Sequence, residues 1–219
     1  MILMESDLLQ RLAEKAITKK ELLEAVESDF TLLPVVVEGV SSSKPAVRYG
    51  CASTLVNLSE KYPEKLYPHM DFFISLLNSK RRILVWNAFA VIANLCAVDV
   101  DKKFDAILNK YYEFLNDEYM VTVANVVGNS AKVARAKPYL IPRITAELLH
   151  VDKISTSAHL TEECRRVIAE QAIKAFNQFF SIMGAKEKAA VLSFVKKHTK
   201  SSRTSLAKQA ELFLKRWSS

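Results

Sequence analysis

The sequence predicts an all-α fold: a right-handed α-solenoid of stacked antiparallel helix pairs. Three observations predict it. Apolar residues recur at helical spacing along almost the whole chain. Glycine occurs only at Gly39, Gly50, Gly128 and Gly184, whereas strand-and-turn folds and phosphate-cradling loops both rely on glycine to reach positive φ. Four segments align on a shared asparagine, and self-similarity of this kind marks a repeat architecture. With half its residues apolar and a quarter charged, the chain has the composition to bury a core rather than remain disordered.

The first element is a helix from Ser6 to Ile17, with Leu8, Leu9, Leu12, Ala13 and Ala16 on one face. Thr18-Lys19-Lys20-Glu21 then has the form of a capping box opening the next helix, and Ile17 and Leu22 stand where a hydrophobic staple would place them. Residues 1–29 are therefore expected to be an N-terminal capping hairpin.

The aligned segments follow. They are Val47 to Asn57, Leu84 to Asn94, Tyr119 to Asn129 and Val167 to Asn177. An apolar or aromatic residue stands ten positions before each asparagine. Ala52, Phe89, Ala124 or Ala172 stands five before, and Leu55, Ile92, Val127 or Ala175 two before. These offsets share a helix face and describe one buried stripe per repeat. Each such helix is preceded by another amphipathic segment: Phe30 to Val40, Leu66 to Leu77, Phe104 to Leu115 and Tyr139 to Leu149. Pro34, Pro68 and Pro142 fall in or at the start of three of these, where a first helical turn tolerates proline and an interior kinks. The asparagines are 37, 35 and 48 residues apart. The long third interval places an inserted loop at Val151 to Glu162, a polar stretch with serine and threonine. Residues 30–183 thus form four core repeats. A basic C-terminal capping pair, Lys186 to Lys197 and Ser202 to Trp217, occupies residues 184–219. The expectation is one continuous domain over residues 1–219, because a single repeat cannot bury its apolar face alone.

Leu33-Pro-Val-Val-Val-Glu-Gly-Val, followed by Pro45-Ala-Val-Arg48, resembles the HEAT repeat: proline in the first helix, then a Val-Arg pair opening the second. Leu-Val-Asn57-Leu and Ile-Ala-Asn94-Leu resemble the second long helix of an armadillo repeat. The resemblance runs from about Phe30 onward and implies a non-enzymatic scaffold that binds a protein or peptide on a concave face lined by the second helices. In armadillo proteins of the importin-alpha kind the corresponding asparagine binds peptide backbone, and a carboxamide can both donate and accept to a peptide group. The resemblance implies that role for Asn57, Asn94, Asn129 and Asn177, with Asn87 and Asn125 on the same face. Those proteins carry tryptophan four residues earlier, where this chain has Ser53, Ala90, Asn125 and Ile173. The alternative role for the asparagine row is to bond neighbouring helices and fix the stacking.

Charge gives a second candidate. The chain carries +7, and residues 185–219, with nine Lys/Arg against Glu187 and Glu211, account for all of it. Lys196, Lys197, Lys200 and Arg203 are the candidate phosphate-binding residues, through which the chain would bind nucleic acid by its backbone. Phe194, Phe213 and Trp217 fall at core spacing, so base stacking is not implied. The alternative is a solvated cap whose lysines oppose end-to-end stacking. Smaller basic groups are Lys80-Arg81-Arg82, Lys132 with Arg135 and Lys137, and Arg165-Arg166.

No catalytic residue, metal site or cofactor is expected. His150, Asp152, His159, Glu162 and Cys164 are ligand types without a zinc spacing. A third function, that of the HEAT-like glycosylases releasing alkylated DNA bases, needs a catalytic carboxylate beside aromatics, and no segment supplies the match. Cys51, Cys96 and Cys164 are scattered and odd in number, which fits reduced thiols. The charged first thirty residues do not read as a secretory signal, and no apolar run is long enough to span a bilayer. A cytoplasmic protein without membrane contact is the expectation.

Overall fold

A computed structural model describes the backbone of residues 2–217, and side chains from Asp7 to Trp217. Among the described residues there is no strand, and helix follows helix. The chain divides into two compact units, residues 1–103 and 104–219.

Unit 1 holds α1 (Ile2–Ala13), α2 (Lys19–Ser28), α3 (Leu33–Gly39), α4 (Pro45–Lys61), α5 (Pro63–Leu66), α6 (Met70–Leu76) and α7 (Arg82–Leu95). Helix α1 ends four residues before the expected Ile17. Lys15 adopts φ 60° and breaks the helix, leaving Ala16 exposed. The capping box forms as expected: the Glu21 amide donates to Thr18 Oγ1, and Thr18 N donates to Glu21 Oε2 at 2.7 Å. Ile17 and Leu22 are both buried. The segment expected as one helix from Leu66 to Leu77 is split, with a 3-10 turn at Tyr67–His69 around Pro68 joining α5 to α6. Helices α1, α2 and α3 all pack on α4, and α4 packs along α7. Arg48 of the Val-Arg pair is buried. Its Nη1 donates to the carbonyls of Ser42 (2.8 Å) and Ser43 (3.1 Å), which fixes the turn between α3 and α4.

Unit 2 holds α8 (Lys103–Glu113, opening at the boundary), α9 (Met120–Ala136), α10 (Ile141–Leu149), α11 (Glu162–Phe179), α12 (Ala185–His198) and α13 (Thr204–Trp217). The long second helices lie side by side, α9 on α11 and α11 on α13, while α10 packs on α12. The inserted segment is a 3-10 turn at His150–Lys153 and then irregular chain up to Thr161, which caps α11 by accepting from Cys164 N. It folds back on the preceding repeat: Ser157 Oγ donates to the Glu118 carbonyl at 3.1 Å, and the His159 ring stacks on Tyr119 at 4.5 Å.

Within each unit, polar ties join groups one repeat apart. In unit 1, Lys61 bonds Glu27 (2.7 Å) and Lys103 bonds Asp71 (2.6 Å), while Tyr67 Oη lies 2.9 Å from Asp99 Oδ1 and 3.1 Å from Asp101 Oδ2. In unit 2, Tyr139 Oη donates to Asp105 at 2.7 Å and Arg143 to Asn109 at 3.2 Å. Partners stand 32 or 34 residues apart in these bonds, close to but shorter than the 35- and 37-residue spacings of the first aligned segments.

Candidate functional site

Apolar burial orients the second helices, and what is left outward is the candidate site. On α9 the outward residues are Val121, Asn125, Gly128, Asn129, Lys132 and Arg135. They recur every three or four residues and therefore share a face. On α11 the outward stripe is Val167, Gln171, Lys174 and Gln178. On α7 it includes Ile83, Asn87, Ala90 and Asn94.

The asparagines do not all behave alike. Asn57 is exposed and its Nδ2 donates to the Ser53 carbonyl of its own helix at 3.1 Å. Asn125 and Asn129 do the same, to Val121 O (2.8 Å) and Asn125 O (2.9 Å). Asn87 is half-buried. Asn94 instead reaches the preceding second helix, its Nδ2 donating to Ser59 Oγ at 2.9 Å. Asn177 accepts from Trp217 Nε1 of α13 at 2.8 Å. Asn94 and Asn177 therefore join neighbouring helices, the stacking role. In the fourth repeat the solvent-facing carboxamides are Gln171 and Gln178, which alignment on Asn177 missed by one position. One residue is about 100° of helix rotation, and the phase of α11 is set by its contact with α13.

Gly128 stands out on α9. It is exposed, lies mid-helix, and a Cβ built there would meet no atom within 4 Å. Gly39 is the opposite case: a Cβ there would meet Cys51 Sγ at 2.6 Å, so close packing of α3 on α4 requires the glycine.

Charge beside this face is organised around Arg203. Its guanidinium bonds Glu163 and also donates from Nε to Glu170 at 3.2 Å. Lys174 (2.7 Å) and Ser205 Oγ (2.6 Å) bond Glu170 as well, and Arg166 bonds Glu163 at 3.1 Å. Burial alone would push the Glu170 carboxyl up; the bonds from Lys174, Ser205 and Arg203 outweigh it and hold the carboxyl below its ordinary value. Arg203 is thus already committed within the fold. Lys196, Lys197 and Lys200 are exposed, as expected of the basic pair. Lys200 lines a cleft of about 440 Å³ together with Arg165, Arg166, His198, Asp152 and Glu162.

The other ligand-type residues are separated by their contacts. His150 Nδ1 lies 2.7 Å from the Ala146 carbonyl, His159 stacks on Tyr119, and Asp152 lies 3.1 Å from His198 Nε2. Burial pushes the Cys51 thiol up to about 12, so it is inert at neutral pH.

No family model and no curated protein matches the chain. Solved structures do. A designed armadillo repeat protein, YIII(Dq)4CqI, superimposes with a TM-score of 0.60 at 19% identity, covering 96% of this chain and 92% of that one. Computationally designed armadillo repeat proteins for modular peptide recognition give 0.63 at 18%, covering 97% and 92%. A designed armadillo repeat protein in complex with the peptide (KR)4 gives 0.64 at 16%, covering 94% and 90%. At these identities the likeness shows the fold. The chain is an all-α solenoid with an armadillo/HEAT-like helical repeat fold.

Proposed function

We propose that the chain is a non-enzymatic, cytoplasmic scaffold, one continuous stack over residues 1–219, that binds a protein or peptide along its second helices. The observation that carries this is the pair Asn125 and Asn129. Each uses one N–H on its own helix, which leaves a second N–H and the Oδ1 to meet a peptide group from the solvent side. Asn57 and Asn87 have the same part in unit 1, while Asn94 and Asn177 hold the stack. The fold's likeness to designed peptide-recognition proteins supports this assignment, and the odd, scattered set of three cysteines agrees with a reducing compartment.

Selecting a displayed peptide library on the full chain tests it. Enriched peptides should lose about tenfold in affinity when Asn125→Ala and Asn129→Ala are combined, since each removes a hydrogen bond to the ligand. Enriched peptides indifferent to both changes would remove these residues from the site.

A second function is favoured by the exposed Lys196, Lys197 and Lys200 beside the cleft that Lys200 and Arg165 line. This is phosphate-backbone contact with nucleic acid. It predicts DNA or RNA binding that weakens steeply with salt and with neutralisation of the three lysines. Arg203 is less suited to it than the lysines, because its charge is held by Glu163 and Glu170.

A further inference from the structure

We infer that the outer side of α13 docks an acidic amphipathic helix of a partner protein, with carboxylates seven residues apart over Lys208 and Lys215 and an apolar residue over Leu212. This is a second surface, independent of the asparagine row.

The joint between α11 and α13 supplies the pattern. Glu163, Glu170 and Asn177 stand seven residues apart on α11 and share one side of it. Each receives a donor from α13 or from the turn leading into it. Arg203 bonds Glu163 and Glu170, Ser205 Oγ bonds Glu170 at 2.6 Å, and Trp217 Nε1 bonds Asn177 at 2.8 Å. This side of α11 is how one second helix holds the next.

Helix α13 repeats the register of α11 38 residues later. Leu206, Ala210 and Phe213 are buried, as are Ile168, Ala172 and Ala175. At the same offset Lys208 and Lys215 take the positions of Glu170 and Asn177. Both lysines are exposed, and among the described residues neither has a hydrogen-bond or ion-pair partner. Helix α11 packs on both α9 and α13, whereas α13 packs on α11 and α12, so its own holding side faces solvent.

The chemistry of that side is reversed. Acceptors on α11 become ammonium donors on α13, so a helix held there must bring acceptors. Leu212, four residues after Lys208 and three before Lys215, is 53% exposed. An apolar side chain between two lysines is matched by an apolar residue between two carboxylates, the pattern of an amphipathic helix. Glu211, the one carboxylate of α13, is outnumbered by the exposed Lys208, Lys215 and Arg216. The same face of a second copy carries the same lysines and is repelled. The 14 residues of α13 extend about 21 Å, so a partner helix of about four turns covers them.

The test uses the full chain and three labelled alanine-based peptides. The first carries glutamates seven residues apart with a leucine between them. The second has lysine in place of glutamate, and the third is the first with a central proline that breaks the helix. Oligothymidylate and phosphatidylserine vesicles are further probes. Fluorescence anisotropy should show binding of the first peptide and little of the other two. Lys208→Glu combined with Lys215→Glu, both at exposed positions, should melt with the parent. It should bind the first peptide at least about tenfold more weakly and take up the lysine peptide instead. Leu212→Gln should weaken the first peptide about threefold. Lys19→Glu combined with Lys20→Glu, exposed on α2, changes the net charge equally and should leave binding as it is. Equal loss in this α2 variant would overturn the placement, and equal binding of the proline peptide would overturn the helix. Oligothymidylate or vesicle binding that is lost in the Lys208 and Lys215 variant, without peptide binding, would make this a nucleic-acid or lipid surface and overturn the inference. No binding of the first peptide would overturn it too.

Discussion

The two units solve the same joint in opposite ways. In unit 1 a phenol from the earlier repeat, Tyr67, reaches carboxylates of the later one, Asp99 and Asp101. In unit 2 a carboxylate from the earlier repeat, Asp105, receives a phenol of the later one, Tyr139. The unit 2 joint also contains Lys137, only 4% exposed, with its ammonium 2.8 Å from Asp105 Oδ2. The lysine of unit 1, Lys103, sits nearer the surface and pairs with the exposed Asp71. What repeats is therefore the spacing of the tie, not its chemistry. The two joints should fail under different conditions.

The largest effects should come from the core. Leu55→Ala in α4 and Phe176→Ala in α11 each remove a fully buried side chain and should cost about 3 to 5 kcal/mol. If residues 1–219 behave as one stack, both should lower a single thermal transition; two transitions, each moved by only one of the substitutions, would divide the chain at residue 103. Next, Asp105→Ala withdraws the carboxylate beside a desolvated ammonium and should cost about 2 to 3 kcal/mol by denaturant melting. Asp71→Ala, at an exposed pair, should change stability by less than about 1 kcal/mol. Equal losses at the two sites would erase the distinction drawn between the joints.

Acid and alkali should separate them as well. Glu170 and Asp105 are held below their ordinary values of 4.5 and 3.8, in both cases because bonds to the carboxylate outweigh burial. Depressed carboxylates stabilise the fold fully above those ordinary values, and that stability is lost as pH falls through the lower folded values. Protection of α11 and α13 amides, measured against their intrinsic exchange rates at each pH, should therefore fall as pH drops below about 4.5. Tyr67 is pushed in the other direction, up to about 12, by burial first and by the neighbouring aspartates. Its contribution is intact below the ordinary value of 10 and lost as pH rises through 12. Ultraviolet titration should show Tyr67 among the late-ionising tyrosines, and Tyr67→Phe should reduce the late amplitude by one phenol.

The smallest contrast is between two glycines. Gly39→Ala forces a methyl group towards Cys51 Sγ and should destabilise by about 1 to 3 kcal/mol. Gly128→Ala meets nothing and should stabilise by about 0.5 to 1 kcal/mol. Denaturant melts of the two variants should shift in opposite directions.

Legibility in the sequence followed the range of the interactions. Thr18 and Glu21 are three residues apart, and the capping box was readable from four letters. The second helices and the inserted loop were readable because periodicity and polar interruptions are local. The end of α1 was not, since an unremarkable Lys15 takes the left-handed conformation. The partners of Arg203 lie 33 and 40 residues away, and Trp217 lies 40 from Asn177. No local pattern announces these bonds, so Arg203 reads in the sequence as a candidate phosphate ligand, and the role of Asn177 stays open there between peptide binding and stacking. Total charge misled in the same manner. Residues 1–184 sum to zero, yet within them α9 carries only cations, and that becomes visible once its outward face is known.

The inserted loop has a consequence for the continuity of the chain. Residues 155–159 are exposed, but α9 before the loop and α11 after it lie flat against each other. Cutting the backbone there would not release either piece. The scission would leave two chains clasped along an apolar seam, with Ser157 and His159 dangling from the edge they formerly pinned. The protein could thus be supplied as two separate polypeptides that reassemble.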